Sequence, residues 1–119
     1  MSLGNHDNDL IFDGLGGFNH AGDVQVAYTY REDKQSEKWQ MPDRYYHFAA
    51  PLQSTKSLVD FFVLDSNPMN SAPDFSPEFE VNTYKRLQYE WFSTTLAASS
   101  SPWKIAYAHH PYHFKWNTW

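Results

Sequence analysis

The chain contains no cysteine, which excludes a disulfide framework and every thiolate metal site. Basic residues are scarce: nine Lys and Arg stand against 14 Asp and Glu, for a formal charge of -5. That balance opposes a phosphate-backbone binder with a basic face, so no nucleic acid partner is expected, although a bound metal ion would reverse the sign of a local field. Long apolar runs are also missing. No stretch approaches the roughly 18 apolar residues of a membrane span, and the first residues lack the charged and apolar regions of a signal peptide, so no membrane partner is expected. Glycine is absent after Gly22, all five glycines falling between Gly4 and Gly22 among Asn and Asp. Residues 4–23 therefore read as loop and turn. Within them "GLGGFNHAGD" lacks the Lys-Ser/Thr pair and the preceding strand of a phosphate-binding loop, and reads as surface loop.

What is present is aromatic surface. Phe, Trp and Tyr make up 18% of 119 residues, enough rings for one modest core in a single domain spanning residues 1–119. "DVQVAYTYR" alternates at Val24, Val26 and Tyr28, which predicts a short half-buried strand. "RYYHFAA", residues 44–50, and "LVDFFVLDS", residues 58–66, predict neighbouring strands joined by a turn at Gln53, Ser54 and Thr55. The proline-bearing "NPMNSAPDFSPEF" predicts an irregular excursion. From about Glu80 to Ala98 the apolar residues Tyr84, Leu87, Trp91, Phe92 and Leu96 recur every three to four positions, the stripe of an amphipathic helix. "SSSP" ends it, and "WKIAYA", residues 103–108, predicts a further strand. Strands, a long helix and then a strand are the order of an α/β or mixed α+β layer protein.

Chemistry gathers at two places. In "GNHD", Asn5 offers a hard neutral oxygen, His6 an acid or a ligand, and Asp7 a carboxylate able to orient that imidazole. The trio suits an anionic substrate, although composition alone favours a loop whose Asn and Asp cap turns and whose His is exposed. In "AHHPYHF", His109 and His110 leave a strand end in different directions, so they do not share one metal; one can face a site while the other packs. His110, Tyr112 and His113 either line a substrate opening or shape the loop after Pro111. Asp65 reads as a strand-end residue stabilising a loop, and Arg44 as a partner of acidic residues, while His20 and His47 read as unrelated to the site.

The ordered set "GNHD", "WQMPDRYYHF", "FFVLDS", "QYEWFSTTLAAS" and "PWKIAYAHHPYH" resembles the calcineurin-like metallophosphoesterases of the purple, tartrate-resistant acid phosphatase type, over essentially residues 4–113. The resemblance implies part of a β-sandwich with flanking helices, in α/β/β/α layers. It implies hydrolysis of phosphomonoesters by metal-activated hydroxide, with two metal ions, Fe, Zn or Mn, in the complete site. Asn5 matches the amide ligand of one metal and His109 an imidazole ligand of the same metal. His6 matches the histidine that assists the leaving oxygen, with Asp7 as its partner. His110, Tyr112 and His113 fall where substrate is bound. The substrate class is a phosphate-ester small molecule or a phosphoprotein, and the parent protein is expected to be exported.

The pattern departs from the family at both ends. The Asp and Gly-Asp motifs expected before "GNHD", and the Gly-His-x-His segment expected after "PYH", have no counterpart, and "FKWNTW" follows instead. The expectation is a central piece of such an enzyme, inactive alone, with partial metal binding or none, and self-associating through exposed sheet edges. The alternative is a non-catalytic binding or structural module of the same fold that has lost its dinuclear centre.

Overall fold

The computed structural model describes residues 1–4, 20–50, 58–67 and 81–110. In chain order its elements are helix α1 (His20–Thr29), strand β1 (Tyr46–Ala50), strand β2 (Val59–Val63), helix α2 (Val81–Ala98) and strand β3 (Trp103–Tyr107). The turn expected at Gln53–Thr55 and the excursion over 67–79 lie outside the described residues, apart from Asn67.

The three strands form one mixed sheet in the order β1-β2-β3. β1 runs antiparallel to β2, with Tyr46 opposite Val63 and Phe48 opposite Phe61. β2 and β3 run parallel, with Phe61 opposite Ile105 and Val63 opposite Tyr107, and α2 lies between them in the chain. A parallel pair needs such a crossover, because the chain must return to the sheet's starting edge. The described residues thus have an α+β architecture of one mixed sheet and two helices. None of their helices is long and apolar enough to cross a membrane.

Period-2 alternation divides the sheet into two faces. On one, Phe62 is fully buried and meets Phe92 of α2 edge to face at 5.5 Å between ring centroids. Next to β1, Tyr45 packs against Tyr84 and Trp91 of the same helix. Ser99, just past the helix, donates a hydrogen bond to Asp60 Oδ2, closing the other end of that contact. On the opposite face Leu3, Met41, Tyr46 and Val63 form a core, with Val26, Trp39, Phe48 and Tyr107 packed against it. Burying a ring of the size of Phe62 contributes about 3 kcal/mol, so a few such residues carry most of the stabilisation available to a sheet this small.

Residues 20–29 correct the sequence reading: they are helix, neither strand nor, at 20–23, loop. The alternation of Val24, Val26 and Tyr28 does not survive as a buried face, since Val24 is 54% exposed while Val26 reaches the core. Tertiary bonds override the local preference. Thr29 Oγ1 accepts from Met41 N at 3.0 Å and donates to Met41 O at 2.9 Å, and Trp39 Nε1 donates to Gln25 O. All three bonds tie α1 to the segment over 39–41.

Candidate functional site

Because β2 and β3 are parallel, their C-terminal ends lie at one edge of the sheet, and the start of antiparallel β1 lies there too. Loops leaving that edge are where parallel sheets carry their chemistry. Three segments meet there: Leu3 and Gly4, which lead into Asn5; Asp65, Ser66 and Asn67 after β2; and His109 and His110 after β3.

Asp65 is 1% exposed and organises the middle segment. Its Oδ1 accepts from Asn67 N at 3.1 Å and from Asn67 Nδ2 at 2.9 Å, and its Oδ2 accepts from the Tyr84 hydroxyl at 2.9 Å. Both oxygens are spent on the fold, as expected of a strand-end residue that stabilises a loop. Burial, reinforced by the neighbouring Asp65, pushes the Tyr84 phenol far above its ordinary range, so it stays a donor. Behind them Gln88 of α2 bonds the main chain of Asp65 on both sides.

The two outer segments are each fastened to this turn. Asn67 Nδ2 donates to Leu3 O at 3.1 Å, which fixes the main chain immediately before Gly4 and Asn5. On the other side His110 N donates to Ser66 Oγ at 3.1 Å, and the same oxygen lies 2.9 Å from His110 Nδ1. Ser66 Oγ thus meets His110 at both its main-chain N–H and its ring nitrogen. Burial first, then the adjacent His109, holds the His110 imidazole below its ordinary value, with Asp65 opposing, so the ring favours its neutral form. His109 is exposed and its ring stands edge to face with that of His110, 4.9 Å between centroids and 83° apart. The two rings thus lie against each other, although adjacent residues at a strand end are expected to point apart.

Of the sequence-predicted site residues, His109 and His110 are therefore placed at the edge. Asn5, His6, Asp7, Tyr112 and His113 lie outside the described residues. Among the described residues no three His, Asp or Glu side chains gather as a metal ion would require. Arg44 is buried and pairs with Asp23 at 2.9 Å, the acidic partner expected for it. His47 lies one residue into β1 on the α2 face of the sheet, 3.6 Å from Asp60 and stacked on Phe62.

Sequence reasoning missed Ser66, Asn67, Tyr84 and Gln88 as organisers of the edge. A signal was present for some of them: "DSN" directly follows the apolar "FFVL", and Gln88 interrupts the apolar stripe of α2 four residues after Tyr84. Compared with known proteins, the chain matches no family model, and no curated protein matches it.

Proposed function

We propose that this chain carries part of the active site of a metal-dependent phosphoesterase, acid phosphatase-like, acting on phosphomonoesters, and that its sheet belongs to the two-sheet sandwich of that superfamily. The reading starts from the resemblance carried by "GNHD" and "AHHP". One structural observation supports it: the main chain entering Asn5 and the main chain carrying His109 are bonded to the same β2 turn, through Asn67 to Leu3 and through Ser66 to His110. Motifs a hundred residues apart in the sequence thus start from neighbouring points at the carboxyl end of a parallel strand pair, a usual location for a site.

The donor set fits one position of such a centre. Asn5 supplies a carboxamide oxygen and His109 an imidazole nitrogen, a combination suited to Zn, Fe or Mn. Two neutral ligands do not compensate a pair of cations, and the candidate residues of this chain include no carboxylate left to bridge them. Bound in a complete site, the ions would supply Lewis acidity toward water and the phosphoryl oxygens. His6 would give its proton to the departing alkoxide, and Asp7 would orient the ring and favour its charged form. His110, neutral and pinned by Ser66, together with Tyr112 and His113, would offer donors to the phosphate.

The test is metal content by elemental analysis after equilibration with Zn2+, beside an Asn5→Ala, His109→Ala double variant. One Zn2+ per chain, lost in the variant, is the expected result and supports both ligands. Equal content in the two proteins, zinc in neither included, would overturn the assignment of Asn5 and His109 as ligands and leave this chain the scaffold of the site alone.

A further inference from the structure

We infer that Ser66 and Asn67 are positioning residues that lock the two candidate ligand loops to one another; as a statement about the site, this rests on the phosphoesterase reading above. Their arrangement differs from ordinary loop packing. They are consecutive residues, both buried at 7% and 0% exposure, and they point their side chains to opposite neighbours. Asn67 holds the Leu3 carbonyl across 64 positions of sequence, and Ser66 holds the backbone and ring of His110 across 44. One bond ends two residues before Asn5, on the Leu3 carbonyl, and the other on His110, the residue next to His109.

The turn that carries them is itself rigid. Asp65 accepts both Asn67 donors, Tyr84 fixes the second carboxylate oxygen, and Gln88 clamps the Asp65 main chain. Strand β2 is the central strand, and its ladder continues past Val63 through Leu64 N to Tyr107 O at 2.9 Å. A displacement of either loop would therefore have to break bonds at a buried, doubly anchored turn. Sites of this kind need groups held to within about half an ångström, and buried side chains on a rigid strand end supply that precision better than the loops themselves.

The test uses the full chain and two readouts. The first is amide hydrogen exchange without metal: Ser66→Ala should speed exchange of the His110 amide about tenfold, the loss of one hydrogen bond, with Gly4 little changed. Asn67→Ala, which removes the donor to Leu3 O, should leave exchange at His110 unchanged and weaken Zn2+ binding in the second readout. Ser66→Thr, which keeps the hydroxyl, should restore the wild-type rate at His110, while far-UV circular dichroism shows each variant folded. The second readout is Zn2+ titration, in which Ser66→Ala should weaken binding about tenfold and Ser66→Thr should not.

Unchanged exchange at His110 in folded Ser66→Ala would overturn the proposal. So would wild-type zinc affinity in that variant, provided that His109→Ala abolishes binding. If the wild-type chain takes up no zinc, or if His109→Ala leaves uptake unaltered, the ligand assignment of the reading above fails instead, and the His110 exchange rates alone decide whether Ser66 holds that loop.

Discussion

Gln88 and Asp65 are joined by a paired bond: the Gln88 Oε1 accepts from Asp65 N at 2.7 Å and its Nε2 donates to Asp65 O at 3.0 Å, with both residues 1% exposed. The side-chain amide imitates a neighbouring strand at the position where the sheet's own ladder gives out. It lets the main chain leave β2 and turn without stranding a buried N–H or C=O, which would be costly in so dry a place. Helix α2 therefore does more than cover Phe62; it fixes the height at which the Asp65–Asn67 turn begins, and through that turn the two loops.

Removing this amide should be expensive for its burial rather than its size. Gln88→Ala leaves both main-chain groups of Asp65 unpaired, and a loss of about 3 kcal/mol is expected in urea unfolding. Gln88→Met keeps the volume and deletes the bonds, so it should lose nearly as much. If Gln88→Met were as stable as wild type, packing alone would explain the residue and the clamp would have no energetic role.

Gln88 also shows why the sequence was only partly legible. β1, β2, α2 and β3 follow from spacing, because each apolar period is strong enough to set the type of element and Ser and Pro set the boundaries. The stripe on α2 was read from apolar residues alone, so it included Leu87, which is 45% exposed, and passed over Gln88, which is buried. The inward face runs through Tyr84, Gln88, Trp91 and Phe92, polar where it meets a chain turn and apolar where it meets Phe62 and Tyr45. Helix α1 was misread for a related reason: its fold is decided by partners fourteen and twelve residues away, Trp39 and Met41, which no local period reports. At the candidate site, residue types point to His109 and His110, whereas the bonds that hold His110 come from Ser66, whose role depends on the parallel pairing of β2 and β3.

Two phenols, Tyr46 buried and Tyr84 half-buried, make the protein sensitive to alkali. Tyr84 is raised far above its ordinary value by burial and Asp65, and Tyr46 is pushed up to about 12 by burial and by Tyr107. A folded-state pKa above the unfolded value of about 10 means that the unfolded chain releases these protons first. The associated stability is fully present below pH 10 and is lost as the pH rises through 12. Stability measured by urea unfolding should therefore fall steadily above pH 10, and tyrosinate absorbance at 295 nm should show a late, cooperative component that coincides with unfolding. In Tyr84→Phe that fall should be shallower, although the variant starts lower because Asp65 Oδ2 loses its hydroxyl donor; an unchanged slope would mean that Tyr84 ionises as freely in the fold as out of it.

Self-association through β3 is the remaining expectation. Trp103 and Ile105 are 69% and 43% exposed, and among the described residues β3 pairs only with β2, so its other edge offers main-chain donors and acceptors. Antiparallel pairing with a second copy about Ile105 would set Trp103 against Tyr107 and Lys104 against Ala106, joining aromatic pairs on one face and opposing no like charges. Sedimentation velocity should show a concentration-dependent dimer in the wild-type chain. Ile105→Lys places two ammonium groups face to face at the centre of that register and should return the chain to monomer at the same concentrations, with unchanged circular dichroism. Lys104→Glu, whose side chain lies on the other face opposite Ala106, should leave the dimer in place. A wild-type chain that sediments as monomer at every concentration, or an Ile105→Lys variant that still dimerises, would remove β3 as the interface.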